Sequence, residues 1–314
     1  MAKILINDGI HPTGARLLEE AGHTVDLNNI PQADLMAKLP AYDAICVRSA
    51  TKVRADLIDG CPNLKAIGRG GVGLDNIDVD HATGKGIAVL NTPAASTRSV
   101  AELAFAHMLS LSRFVYQSNR QMPNDGATEF KSLKKSYSKG QELEGKTLGI
   151  IGMGRIGQET AKIGLAMGMK VMAVDHYAES AELAIKIGDT TLPYTLQAVA
   201  LDDMLTAADY ISLHIPFTGA PALDATHFAK MKKGVMIVNA ARGGTINEDA
   251  LLAAINDGTV AAAGLDVFEN EPSPRADLLA HARVSLTPHI GASTSEAQEK
   301  IGIELAERLI ATLG

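Results

Sequence analysis

The stretch T-L-G-I-I-G-M-G-R-I-G, Thr147 to Gly157, decides the fold. It reads as a short apolar strand, then Gly152, Gly154 and Gly157 at G-x-G-x-x-G spacing, then the opening of a helix. Each glycine has a mechanical task. The first makes a tight turn, the second lets backbone amides reach a pyrophosphate, and the third lets helix and strand pack closely; the helix N-terminus then faces the anion. Glycine is abundant here, with 29 residues in 314, so the spacing alone is weak. The next apolar run, V-M-A-V-D, strengthens it by ending in Asp175, near the ~20-residue offset of the acid that binds a ribose 2′-hydroxyl. A carboxylate there repels a 2′-phosphate, so the pattern predicts NAD rather than NADP. Arg155 and Ile156 complete the loop, the arginine adding charge to the pyrophosphate contact.

Similar apolar runs recur outward in both directions, at 3–7, 44–47, 65–68, 88–91, 170–174, 210–214, 235–239 and 260–266. Helical periodicity lies between most of them, as at 14–21, 35–39, 157–167 and 248–256, with Gly22, Gly168 and Gly258 placed as stops. Strand alternating with helix implies parallel sheets covered by helices. The array is present twice, over residues 1 to about 95 and about 147 to 286, which predicts an α/β protein of two doubly wound parallel-sheet domains. Between them, 100–121 carries Leu103, Phe105, Met108, Leu109, Leu111 and Phe114 on most faces, predicting one helix buried nearly all round. One flank of a sheet cannot cover that much apolar surface, so a homodimer built around this helix is expected. The polar stretch 123–145, with Lys131, Lys134, Lys135 and Lys139, predicts a solvated loop. Residues 293–313 predict a last amphipathic helix that packs back onto the first domain.

Composition narrows the function. A length of 314 residues suits about two domains of ~150, and 46% hydrophobic residues exclude global disorder. The net charge of −7 argues against a nucleic-acid partner. Cys46 and Cys61 lack a metal-ligand spacing and read as reduced thiols of a cytoplasmic protein, so no metal is expected. The N-terminus is too short in apolar residues for an export signal, and no run approaches the ~20 residues of a membrane span.

Three further segments close strands of the second array: V-N-A-A-R-G-G with Arg242, L-D-V-F-E-N-E-P with Glu271, and L-T-P-H-I-G-A-S-T with His289. Residues at the carboxyl ends of parallel strands face the ligand crevice. Their types suit oxidation of a 2-hydroxy acid. Hydride leaves C2 only as the hydroxyl proton is removed, which calls for a base titrating near neutrality, a task for His289. A carboxylate beside it stabilises the imidazolium, and both Glu269 and Glu271 compete for that role by spacing alone. Arg242 offers a planar fork for the substrate carboxylate.

The ordered set G-M-G-R-I-G, V-D, H-I-P, N-A-A-R-G-G, D-V-F-E-N-E-P and T-P-H-I-G resembles the D-isomer-specific 2-hydroxyacid dehydrogenases, over nearly the whole chain. The resemblance implies Glu271 as the carboxylate, because it directly precedes the proline of the E-P pair. It implies a flavodoxin-like substrate domain from 1–97 plus 287–314, with a Rossmann-like NAD domain, 98–286, inserted between them. It also places Ala240, Asp266, Gly291 and the His214 to Pro216 turn along the cofactor. Within the family, I-C-V-R-S-A-T-K-V and I-G-R-G-G-V-G-L-D-N-I-D resemble the branch acting on D-3-phosphoglycerate, with Arg48, Arg69, Gly70, Gly71 and Val72 on the substrate side. A phosphorylated 2-hydroxy acid needs more positive charge than Arg242 supplies, so Arg48 and Arg69 are expected to hold the phosphate, helped by Lys134, Lys135 or Lys139. Long forms of that branch continue into serine-binding domains; this chain stops at Gly314, so serine inhibition is not expected. Hydroxypyruvate and glyoxylate reductases are the alternative within the family, and an NAD-sensing binding protein the alternative outside it.

Overall fold

The computed structural model describes residues 1–314, which divide into two compact units, Met1–Ser99 with Ala292–Gly314, and Val100–Gly291. No helix is long and apolar enough to cross a membrane.

Along the first array run β1 (Lys3–Ile6), α1 (Pro12–Glu20), β2 (Thr24–Asp26), α2 (Leu35–Lys38), β3 (Ala44–Val47), α3 (Ala55–Asp59), β4 (Ala66–Arg69), α4 (Val79–Gly84) and β5 (Ala88–Asn91). The strands form one parallel sheet in the order β2-β1-β3-β4-β5. Its central strand, A-I-C-V, is buried at every position because helices cover both faces, which is why it reads as an unbroken apolar run. Leu5, Ile45, Val47 and Ile67 enter the core on one face. Ile4, Ile6, Ala44 and Ala66 enter the other, where the final helix of the chain closes the layer with Leu305, Ala306 and Leu309. That helix runs Ser295–Leu313 and crosses α1 so closely that a Cβ on Gly14 would meet the Gly302 carbonyl. Cys46 is buried in this layer, and burial pushes its thiol up to about 12.

Next come α5 (Thr97–Ser112), α6 (Val115–Asp125) and α7 (Phe130–Ser136). The single helix expected over 100–121 is therefore two. Phe114, at φ 55°, breaks it and turns its ring onto Tyr137, with centroids 5.8 Å apart. Nor is it buried all round, since Leu109 and Val115 are exposed. The stretch expected as a loop continues α6 through Pro123 and then forms α7, which carries Lys131, Lys134 and Lys135; Lys139 follows it.

The second array is β6 (Thr147–Ile151), α8 (Arg155–Ala166), β7 (Lys170–Val174), β8 (Ser180–Ile187), β9 (Thr190–Gln197), α9 (Leu201–Ala207), β10 (Tyr210–Leu213), α10 (Ala225–Phe228), β11 (Val235–Asn239), α11 (Glu248–Asp257), β12 (Val260–Leu265), α12 (Ala276–Leu279) and β13 (Val284–Leu286), before the last helix, α13. Six strands form a parallel sheet, β13-β12-β11-β10-β6-β7. The antiparallel hairpin β8–β9 forms a separate sheet, bridged to β7 from Ala173 to Ala198 and packed into this unit's core through Leu183 and Leu196. The strand order reverses between β6 and β10, and that reversal sets where a ligand crevice opens. The chain leaves this unit only after Gly291, later than residue 286, because Thr287, Ile290 and Gly291 are all hydrogen-bonded to Asp266 at the end of β12.

Candidate active site and dinucleotide loop

At the reversal between β6 and β10, the glycines act as their spacing requires. Gly152, at φ 102°, lies against His214 and Ile215, so a Cβ there would strike the His214 carbonyl and the Ile215 side chain. A Cβ on Gly157 would overlap the Gly152 carbonyl, which makes this the close contact between helix and strand. Beside Gly154 the space is open, and Gly154 is the N-cap of α8 with no side-chain cap, leaving the first helical N–H groups for an anion. Arg155 and Ile156 begin that helix, Arg155 exposed. Asp175 follows β7. Its Oδ2 accepts from Met153 N–H in the loop at 2.6 Å, and its Oδ1 from Tyr177 and Ala178 N–H. Burial by itself would raise this carboxyl, but the backbone donors outweigh it and hold the group below the ordinary aspartate range. His214 bonds Ser212 through Nε2 while Nδ1 is buried without a partner; burial pushes its pKa down to about 3, so the ring is neutral. Ala240 is buried just beyond β11, and Pro216 closes the turn after β10 exposed. Open space beside Gly154 at an uncapped helix N-terminus, with an ionised aspartate bonded to the Met153 N–H of the same loop, fits the pyrophosphate and ribose of a dinucleotide.

Glu271 and His289 come together directly, His289 Nδ1 lying 2.6 Å from Glu271 Oε2. The other carboxylate oxygen of Glu271 accepts from Phe268 N–H at 2.9 Å. Burial would raise Glu271, yet the bonds from His289 and Phe268, with the charges of His289 and Arg242, bring it below its ordinary value. Glu269 has a different fate. It accepts from Glu248 N–H at the start of α11, while Glu248 in turn accepts from Glu269 N–H. The two acids, ambiguous by spacing, are thus separated by geometry. Arg242 follows β11 and bonds the Ala241 carbonyl through Nη1. Gly243 lets its loop approach the Glu271 loop, since a Cβ there would overlap the Phe268 carbonyl. Glu271 and His289 also border a cavity of about 420 Å³ with Phe268, Pro272, Leu286 and Pro288.

Behind this pair lies a network that the motifs did not reveal. Asp266 accepts from Thr287 Oγ1, Ile290 N–H and Gly291 N–H, and its backbone carbonyl accepts from His289 N–H. Thr287 in turn contacts His107 of α5. A lone histidine in the apolar pattern of α5, and a glycine in the run V-A-A-A-G-L, were the available signals.

In the first unit the order reverses between β1 and β3. There Arg48 lines a cavity of about 410 Å³ with His11, Ser293, Thr294, Ser295 and Gln298, at the N-terminus of α13. Arg48 is anchored by its backbone, its N–H to Asp8 and its carbonyl from Asn76. Gly70 lies against the Arg48 stem, and Gly71, at φ 146°, lies under the Arg69 guanidinium. Val72 is at the surface, its carbonyl held by Asn91.

Comparison with known proteins identifies the family. Residues 105–291 match the family model described as D-isomer specific 2-hydroxyacid dehydrogenase, NAD binding domain. The chain is 45% identical to a hydroxypyruvate reductase of Thermotoga maritima, over 99% of this chain and 98% of that one. It is 41% identical to a D-3-phosphoglycerate dehydrogenase of Synechocystis, over 98% of this chain but only 54% of that one, so it spans about half of that relative's length. A Thermus thermophilus protein of known crystal structure superposes with a TM-score of 0.85 at 30% identity, covering 99% of this chain and 96% of the other. With the family model covering the dinucleotide unit and relatives matching 98–99% of this chain, the chain belongs to the D-isomer specific 2-hydroxyacid dehydrogenases, NAD-dependent oxidoreductases.

Proposed function

We propose that this dehydrogenase oxidises D-3-phosphoglycerate to 3-phosphohydroxypyruvate. The observation that carries the reading is the polar cavity at the reversal point of the first sheet, where Arg48, His11 and the N-terminus of α13 meet. An arginine fork, an imidazole and a helix N-terminus suit a dianionic phosphate, and Arg69 is proposed as its second cation. NAD, when bound, supplies the hydride acceptor, with Gly152, Gly154, Gly157 and Asp175 proposed to hold it. Arg242 takes the substrate carboxylate. His289 has Nδ1 engaged with Glu271, which leaves Nε2 to accept the hydroxyl proton as C2 loses its hydride. Glu271 stabilises the imidazolium formed in that step.

A second reading, reduction of hydroxypyruvate, is supported by the Thermotoga maritima relative, which is matched along 98% of its length. Initial rates of NADH formation on D-3-phosphoglycerate and D-glycerate separate the two. Preference for the phosphorylated acid is expected, and preference for D-glycerate moves the assignment to the reductase. We also propose a homodimer through α5 to α7, where Leu109, Val115, Met122 and Phe130 expose apolar surface. A monomer in sedimentation at micromolar concentration would overturn that.

A further inference from the structure

His107 lies in the middle of an apolar helix, yet it is buried and bonded at both ring nitrogens. Nε2 is 3.0 Å from Thr287 Oγ1 and Nδ1 is 3.2 Å from Ser285 Oγ. Thr287 Oγ1 donates to Asp266 Oδ1 at 2.6 Å. A threonine hydroxyl has one proton, and this one is committed to the carboxylate, so the donor between His107 and Thr287 is Nε2–H. Burial disfavours the imidazolium, although the Asp266 charge opposes that effect. Nδ1 therefore carries no proton and accepts from the Ser285 hydroxyl. The bonds run in one direction, from Ser285 to His107 to Thr287 to Asp266, ending on a carboxylate that polarises the whole chain.

What that carboxylate holds is the turn bearing His289. Asp266 Oδ1 also accepts Ile290 N–H at 2.8 Å and Oδ2 accepts Gly291 N–H at 2.9 Å. His289 itself sits at φ 54°, a left-handed conformation uncommon for a non-glycine residue. Room for the histidine is provided on the opposite side by Gly264 of β12, where a Cβ would collide with the His107 Cβ and ring.

We infer that His107 is a positioning residue for the dehydrogenase reaction, fixing Asp266 through Thr287 and thereby the turn that presents His289. The inference rests on the reading of His289 as the base. It requires a neutral His107 with its proton on Nε2, visible by nitrogen-15 NMR of the protein without cofactor. His107→Ala and Thr287→Val each break the link, whereas His107→Gln retains a donor toward Thr287. The two broken variants should lose about ten- to a hundredfold in kcat, the scale of a small misplacement of a catalytic group, with substrate KM little changed. NADH affinity, followed by fluorescence, should weaken in both, their double variant should be no worse than either alone, and His107→Gln should recover most of the loss. A proton on Nδ1, wild-type kcat in Thr287→Val, or equal impairment by Gln and Ala with additive losses would overturn the inference. If the unaltered protein oxidises no 2-hydroxy acid, the functional reading fails, while the tautomer and NADH affinities still judge His107.

Discussion

Both units place their candidate site residues after the carboxyl ends of parallel strands, but they hold them differently. In the second unit Glu271 is bonded through both carboxylate oxygens, His289 through Nδ1 and its backbone N–H, and Asp175 through both oxygens. In the first unit the Arg48 backbone is fixed by Asp8 and Asn76 while its side chain lines an open polar cavity. The difference fits the tasks proposed for the two regions. Proton transfer needs a geometry set before substrate arrives, whereas a dianion can be met by a cation on a flexible stem, a contact that salt weakens.

Replacing the most tightly held group should have the largest effect. His289→Ala is expected to lose ~10²- to 10⁴-fold in turnover, the usual worth of a general base; steady-state kinetics showing less than tenfold would remove His289 from that role. On the cation side the loss should be smaller and substrate-dependent. Arg48→Ala should lower kcat/KM on D-3-phosphoglycerate about ten- to a hundredfold, from a charge-assisted bond of ~1.5–3 kcal/mol. D-glycerate should be nearly unaffected, and the loss should shrink as salt is raised. Equal losses on both substrates would mean that Arg48 serves the carboxylate or the fold.

Glu271→Gln tests the pair by pH rather than by rate. Despite its burial Glu271 is held below its ordinary range by its bonds to His289 and Phe268, so it is ionised near neutral pH, and on the proposed reading the acid limb of the oxidation reports loss of the free base. Without the carboxylate the imidazolium loses its stabilising charge, so that limb should move to lower pH. An unmoved profile would break the pairing. The same depressed carboxyl contributes stability above its unfolded pKa and loses it as pH falls through the folded value, so the stability gap between variant and parent should narrow in acid. The smallest effect is expected from Asn247→Ala, which removes the N-cap bond to Ala250 N–H of α11. It should cost ~1 kcal/mol in chemical denaturation and leave kcat unchanged, separating loss of stability from loss of positioning.

Most parallel strands were legible because a strand buried on both faces is a continuous apolar run, as in A-I-C-V and V-M-I-V-N. The hairpin β8–β9 went unread although its signal is present. Leu183 and Ile185 alternate with Glu182 and Lys186, then follows a Gly188-Asp189 turn, and Leu192, Tyr194 and Leu196 resume the alternation. A search tuned to unbroken apolar runs passes over a half-exposed strand of period two. The break at Phe114 left no such trace, since phenylalanine has no local preference for the left-handed conformation it adopts there, and its contact with Tyr137 spans 23 residues.

By itself the sequence determined the two doubly wound arrays, the phosphate loop with its aspartate, and the residue types gathered at the strand ends, because these depend on local spacing and hydrophobic periodicity. Only the tertiary structure showed Glu271 bonded to His289 while Glu269 exchanges bonds with Glu248, joined Gly243 to the Glu271 loop, and brought His107 of α5 to Thr287 and Asp266. Those choices depend on which backbone N–H groups and side chains meet across elements far apart in the chain, and no local pattern encodes a hydrogen bond between residues 107 and 287.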